Sequence, residues 1–374
     1  MKSKVISFLI ALIVCQLPCK AQFLDDEKNK EQTIKGLDFL YNQQFDQAKE
    51  ALNNVKLAYP QHPVKFLLNA LELQWQYVPI DKNPEILKKY IAELNKCISA
   101  AKVIYKNPKY KKEATFFLLA AHGFIALSNN YQKEYFDAAS EAKKAYSFFN
   151  EGKKYKNENP EFLFASGLYN FYRVQYPESH PMVKPVVMFF ENGNKKLGLQ
   201  ELENSYKKSI FSRTEAALYL VNINIKYESN FKKSLVYSNI LHSKYPNNYI
   251  FKIKHVESLL LNNEFEEAIK LIEQLKSRKD KVSQLSTLVF EAYKEEHADK
   301  NLQGALVNYA KALKIPHDDR YTKEYHGMAY LGMARIFVKQ KDLGKAKALY
   351  KECLQIAEYQ WVVDAAKTEL KKIS

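Results

Sequence analysis

The densest group of potential ligands in the 374-residue chain is His317-Asp318-Asp319, with Glu324 and His326 just beyond. Imidazole and carboxylate side chains this close in sequence could hold a hard or borderline cation. The group follows Pro316 and sits between two expected helices. An Asp in that place commonly accepts the orphan amide hydrogens of the next helix, so an N-cap is the better reading. No metal is expected here, and no cofactor elsewhere. His297 and Asp299 fall between the helices of one pair, in an expected solvated turn. His122, beside Gly123 in the apolar stretch 116–127, reads as a core histidine with a satisfied ring. The sequence holds no Gly-x-Ser-x-Gly elbow, His-Glu-x-x-His, Cys-x-x-Cys or glycine-rich phosphate loop. The expectation is a protein that is not an enzyme.

The elements that would position these residues are helical. Glycine and proline number only 10 and 12, and neither strand alternation nor Asn-Gly and Asp-Gly turns recur. Two antiparallel helices need small residues where their axes approach and large ones where gaps remain. A repeated hairpin therefore leaves both at fixed offsets. Gly36 and Phe39 lie on one expected helix, and Phe45-Asp46 makes the turn. Ala48, Leu52 and Val55 face inward from the second helix, and Pro60 stops it. The second-helix pattern returns as Ala138, Ala142, Ala145, then as Gly198, Leu202, Ser205 and as Ser234, Ser238, Leu241. It continues as Ala268, Ile272, Leu275, as Ala305, Tyr309, Ala312, and as Ala346, Tyr350, Cys353. From Gly198 onward the leading small residues are 36, 34, 37 and 41 apart. Ser166-Gly167 with Asn170, and Tyr330, Met333, Ala334 and Phe337, fit first helices. Residues 85–105, with Cys97 and Ala101, fit a further second helix.

This pattern resembles the tetratricopeptide repeat. The resemblance implies an all-α, TPR-like α-solenoid of about eight antiparallel helix pairs. Residues 361–373 would form the capping helix that covers the last apolar face. Members of that family bind peptides or protein segments on the concave face, which the first helices line. Position by position, the resemblance implies Phe164, Leu168 and Tyr172 beside Arg173, then Tyr219 and Lys226, Lys294, and Arg335 as binding residues, with core as the alternative for Phe164 and Leu168. Tyrosine and arginine combine contact area with directed hydrogen bonds, which suits a groove. The period breaks over residues 173–196, where Tyr176-Pro177, His180-Pro181 and Lys184-Pro185 precede Met188-Phe189-Phe190. Three prolines so close are expected to end the helix. Either this segment plugs the fold or it forms a contact surface that includes Tyr176. The division that follows is 22–172 as an N-terminal lobe, 173–196 as an insertion and 197–374 as a C-terminal lobe.

Residues 1–21 read as a cleaved signal peptide. Lys2 and Lys4 precede an apolar run over residues 5–17, too short to span a bilayer, and Ala21 offers the cleavage site. A lipid anchor on Cys15 or Cys19 is the competing reading. The chain is then exported, periplasmic or associated with the outer membrane. The formal charge of +15 falls to +12 once the three lysines of residues 1–21 are removed. In a cytosolic protein that excess would suggest nucleic acid; in an exported one it suits other envelope proteins or peptides, or peripheral contact with an anionic membrane surface. Cys97 and Cys353 remain, each in an apolar helical pattern, and read as buried free thiols. The function implied is a non-catalytic interaction scaffold of the cell envelope. The alternative is a small-ligand or glycan-binding protein that uses the aromatic segment 173–196.

Overall fold

The computed structural model describes residues 22–373 except His180 and Phe189. The signal-peptide reading of residues 1–21 lies outside the described residues. Those residues form helices and no strand, arranged as eight consecutive hairpins. These are α1 (Glu27–Tyr41) with α2 (Phe45–Ala58), α3 (Pro63–Gln76) with α4 (Pro84–Tyr105), and α5 (Lys111–Tyr131) with α6 (Tyr135–Gly152). Helix α7 (Glu161–Ser179) pairs with α9 (Lys195–Lys208), the one-turn α8 (Lys184–Val187) lying between them. Then come α10 (Arg213–Lys226) with α11 (Phe231–Lys244), and α12 (Tyr249–Leu261) with α13 (Phe265–Lys276). The last pairs are α14 (Lys281–Lys294) with α15 (Leu302–Leu313), and α16 (Lys323–Lys339) with α17 (Leu343–Ile356); α18 (Gln360–Lys372) caps the end.

Six of the hairpin turns reverse through one residue in the left-handed region: Gln43, Lys133, Ser229, Asn263, Lys300 and Lys341, with φ between 47° and 64°. None is glycine, so each carries the steric cost of a Cβ in that conformation. An Asn or Asp often follows and caps the second helix, as Asn230 does for the amide of Lys233 and Asp342 for that of Lys345. An aromatic or leucine comes next, at Phe45, Tyr135, Phe231, Phe265, Leu302 and Leu343. Phe45 thus opens α2 rather than forming the turn.

Small residues do lie where helices cross. A Cβ at Gly36 would overlap Leu52, and one at Gly332 would overlap the Tyr309 ring. Gly167 on α7 and Gly198 on α9 face each other: a Cβ on either would stand 2.9 or 2.7 Å from the other's carbonyl oxygen. The repeated rows on α9, α11, α13, α15 and α17 are buried throughout. Ala142 is the exception and is exposed. Helix α6 meets α7 through Tyr146 and Phe149 against Tyr169, with ring centroids 5.8 and 4.9 Å apart, one turn and more beyond position 142.

The coil is wound tightly enough for its first hairpins to meet its fifth and sixth. Asp38 on α1 pairs with Arg213 and accepts the Tyr245 hydroxyl at 2.6 Å. Asn248 Nδ2 donates to the Tyr41 carbonyl at 2.7 Å, and the Tyr249 hydroxyl to the Val78 carbonyl at 3.1 Å. Between these bonds Tyr41, Trp75 and Phe251 stack edge to face, and Phe23 meets Phe211 at 5.8 Å. One continuous apolar core therefore runs through both halves of the chain. The boundary drawn at residue 173 falls inside α7, which continues through Arg173, Tyr176 and Pro177. Proline so near a helix end forfeits a single backbone bond, so the helix survives to Ser179.

Candidate functional site

Helices α5, α7 and α10 and the turn before α16 bring a group of aromatic and charged side chains to the inner face. Tyr131 ends α5, Tyr172 lies on α7, and Glu215, Tyr219 and Lys226 lie on α10 with Tyr227 just beyond it. Arg320 and Tyr321 enter from the turn, which Asp318 shapes by accepting the amides of Arg320 and Tyr321 at 2.9 and 3.1 Å. The Arg320 guanidinium carbon stands 5.3 Å from the ring centroids of both Tyr131 and Tyr321, within cation–π range. Its nearest carboxylate is Asp81, at 4.0 Å. Tyr172 packs against Phe171 and Tyr227 at 5.4 and 5.9 Å, and Tyr219 against Phe164 at 5.5 Å.

Burial sets the electrostatics here. It raises the phenols of Tyr172 and Tyr219 well above their ordinary value, with neighbouring tyrosines adding to the effect. Glu215 is 9% exposed, and burial raises its carboxyl while Arg320 pulls it back. Little room is left in the centre. The cavity beside Arg320, Asp81, Tyr90 and Ser128 measures about 10 Å³, the space of one water. From across the coil α1 meets α10 through Asp38 and Arg213, and α3 meets α12 through Trp75 and Phe251, while Tyr131, Tyr172, Tyr219 and Arg320 keep part of their surface exposed.

The residues singled out from the sequence divide three ways. Tyr172, Tyr219 and Lys226 converge in the central group. Lys226 is tied there to Glu358 at 2.5 Å and Glu324 at 3.6 Å, and lies 5.4 Å from the Tyr227 ring. Arg173 and Tyr176 lie on the last turns of α7. Arg173 Nη2 donates to the Phe190 carbonyl at 3.2 Å, and Tyr176 is 47% exposed. Lys294 and Arg335 belong to a separate internal network. Arg335 holds buried Glu296 through two bonds of 2.8 Å, Tyr309 donates to the same carboxylate at 3.0 Å, and Lys294 pairs with Asp299 at 2.8 Å. Glu296 is buried and Asp299 lies at the surface, but each cation has its acid, so neither is a free groove cation.

The histidines are likewise engaged. His122 meets Glu141 at 2.5 Å and stacks on Phe148, as a satisfied core histidine should. The turn around His297 is solvated at Ala298, Asp299 and Lys300, while the His297 ring is partly covered. The residue occupies a π-helical turn (Glu295–Asp299), 4.1 Å from the Tyr293 ring centroid and 3.2 Å from Arg335. Burial, the largest influence, lowers its ring to about 4. In the 317–326 region, His317 pairs with Asp319 at 3.1 Å and His326 meets the Ile315 carbonyl at 3.0 Å. Among the described residues no group of three or more His, Cys, Asp or Glu is placed to hold a metal ion. Ser238 Oγ lies 3.1 Å from His255 Nδ1, and Glu267 lies 3.8 Å from the other ring nitrogen. The hydroxyl is fully buried and donates to the Leu235 carbonyl, so no substrate carbonyl can reach it. Cys97 and Cys353 are buried and free, and burial pushes the Cys353 thiol up to about 12.

Of the aromatic segment's proposed pocket, Tyr172 packs on Phe171 and Tyr227 and Phe190 on Tyr146, while Phe189 lies outside the described residues. Phe190 packs edge-on to Tyr146 at 5.0 Å, Tyr169 donates to the Glu191 carbonyl at 2.7 Å, and Glu191 pairs with Lys153 at 2.6 Å. The sequence reading missed Arg320, Tyr131, Tyr227, Glu215 and Asp81. One signal was available: only five of the 57 basic residues are arginine. Arg173, Arg213, Arg278, Arg320 and Arg335 all sit where a planar cation packs between elements, as Arg278 does 3.8 Å over Tyr249.

Hairpin pairing, buried small-residue rows and facing glycines are now all in view. The architecture is tetratricopeptide-like. No family model matches the chain, and neither does any curated protein. Among solved structures it is similar to a tetratricopeptide repeat protein from Parabacteroides merdae, with 16% identity and a TM-score of 0.34 over 81% of this chain and 99% of that one. It is also similar to yeast Tom70, with 15% identity and a TM-score of 0.30 over 92% of this chain and 97% of that one. At such scores the fold assignment rests on the contacts within this chain.

Proposed function

We propose that this chain is a non-catalytic scaffold of the bacterial cell envelope that docks protein or peptide segments on its helical surface. The observation that carries the reading is how the converging side chains are used. Lys226, Arg335, His122 and buried Glu296 are bound to partners within the described residues, which builds a rigid frame rather than a set of free acids and bases. Glu161 serves the frame in the same way, accepting the amides of Ile210, Phe211 and Ser212 at the start of α10. Export is part of the proposal and rests on the N-terminal sequence. Phe23, two residues after the proposed cleavage point, is already fully buried, with its amide donating to Glu113 at 3.0 Å. Crosslinking in intact cells followed by capture of the tagged chain should return the same envelope proteins in repeated trials; consistent recovery of none would sink the scaffold reading. N-terminal sequencing of the mature protein should begin at Gln22, and a blocked, lipid-bearing cysteine would replace that reading with an anchored one.

A further inference from the structure

The seam between α1 and α9–α11 encloses a cleft of about 400 Å³, within the size range of small-molecule sites. Its charge is one-sided. Lys207, Lys208, Arg213 and Lys244 line it, and Asp38, itself outside the lining, pairs with Arg213 and Lys244. One oxygen of Asp38 takes Arg213, the Tyr245 hydroxyl at 2.6 Å and Lys244 at 3.2 Å, so its single charge serves two cations. Lys207 is offset by Glu203 at 2.7 Å, whereas Lys208 is exposed and has no ionic partner among the described residues. Two positive charges are thus left over. Arg213 Nε is also buried with no acceptor, an N–H that folding has stripped of water without supplying a partner. Ala217, Leu241, Ile240 and Ile34 form apolar floor and walls beneath this rim.

We propose that the seam cleft binds a small amphipathic anion, with a phosphate or carboxylate head on the Lys208–Arg213–Lys244 rim and an apolar body against the partly exposed Ile34 and Ile240. This site is separate from the central tyrosine group and goes beyond the scaffold reading. Free small anions and lipid headgroups share the required chemistry. The test is calorimetric titration of the mature chain with octyl phosphate, octyl glucoside and inorganic phosphate. Octyl phosphate should bind one to one. Inorganic phosphate, lacking the apolar body, should bind at least about tenfold more weakly, and octyl glucoside should give no saturable heat. Lys208→Glu, a surface change outside the seam bonds, should weaken octyl phosphate about tenfold or more while leaving the urea midpoint unmoved. Lys372→Glu, far along the coil, should change nothing. Raising salt from 50 to 300 mM should weaken binding through screening. No binding by octyl phosphate, equal binding by octyl glucoside, or undiminished binding by the Lys208 variant would overturn the proposal. Vesicles of anionic phospholipid separate the two sources: if they compete for the site, the natural head is a lipid's, and if they leave the titration unchanged it is a free anion.

Discussion

Gly198→Ala and Gly123→Ala make the same chemical change in two helices, and the structure gives them opposite signs. In each case the intrinsic helix preference favours alanine by about 1 kcal/mol. At Gly123 on α5 an added Cβ meets nothing within 4 Å, so that gain should appear whole. At Gly198 the added Cβ would stand 2.7 Å from the Gly167 oxygen, 2.7 Å from the Phe171 nitrogen and 3.0 Å from the Phe171 Cβ. Two of these three are backbone atoms and cannot rotate away. Relief to an ordinary contact of roughly 3.5 Å requires the two helices to part, which loosens buried Leu202 and Phe171 together. Overpacking of this kind typically costs about 1–3 kcal/mol, and a rigid backbone obstacle places it at the upper end. The net expectation is a loss of about 1–2 kcal/mol for Gly198→Ala against a gain of about 1 for Gly123→Ala. Urea denaturation of residues 22–374, followed by circular dichroism and tryptophan emission, reads both as midpoint shifts at constant slope. If Gly198→Ala stabilises the chain as much as Gly123→Ala, the packing argument is wrong.

Glycine at the left-handed turn positions acts in the other direction. Ser229→Gly or Lys341→Gly should raise stability by about 0.5–1 kcal/mol in the same urea assay, as relief of Cβ strain outweighs the added chain entropy. Asn263→Gly should gain less, because asparagine already tolerates that conformation. Arg335→Ala leaves Glu296 charged, buried and uncompensated, and should cost about 3–5 kcal/mol by thermal or urea unfolding. His255 is 1% exposed and stacked on His242, and burial, with His242 adding, lowers its ring to about 4. The unfolded ring takes up its proton near pH 6.5 while the folded ring stays neutral. Stability should therefore fall as pH drops from about 6.5 to 4, by up to about 3 kcal/mol, and His255→Gln should flatten that part of the profile. Cys97 and Cys353 should resist a thiol-specific aromatic disulfide reagent until denaturant is added, since both are buried.

The fold was legible because its determinants are local and periodic. Gly198, Leu202, Ser205 and their counterparts report a crossing that happens within one hairpin, and the recurring Asn-Asn-Glu-Phe (262–265) and Gln-Lys-Asp-Leu (340–343) turns mark the same register. The central group was less so. Tyr172, Tyr219 and Lys226 were reached because first-helix positions face inward in such repeats. Arg320 and Asp81 arrive from turns, and nothing in their spacing says that residue 81 will stand near residue 320. The pairing of Arg335 with buried Glu296, and of Lys294 with Asp299 at the surface, was not legible because a hairpin pattern places a side chain on a face without revealing the carboxylate beside it. The seam was invisible for a related reason. The number of hairpins per turn of a coil depends on small rotations at every junction, and these leave no motif.

The tight winding of the coil is the claim on which the seam cleft depends. A double-mutant cycle between Trp75 and Phe251 tests it most directly. Their ring centroids lie 5.3 Å apart across 176 residues of sequence, edge to face at 63°. With Trp75→Leu, Phe251→Leu and the double variant unfolded in urea, the account predicts a coupling of about 0.5–1.5 kcal/mol. An open solenoid, with these hairpins apart, would give strictly additive losses, and that result would contradict the account.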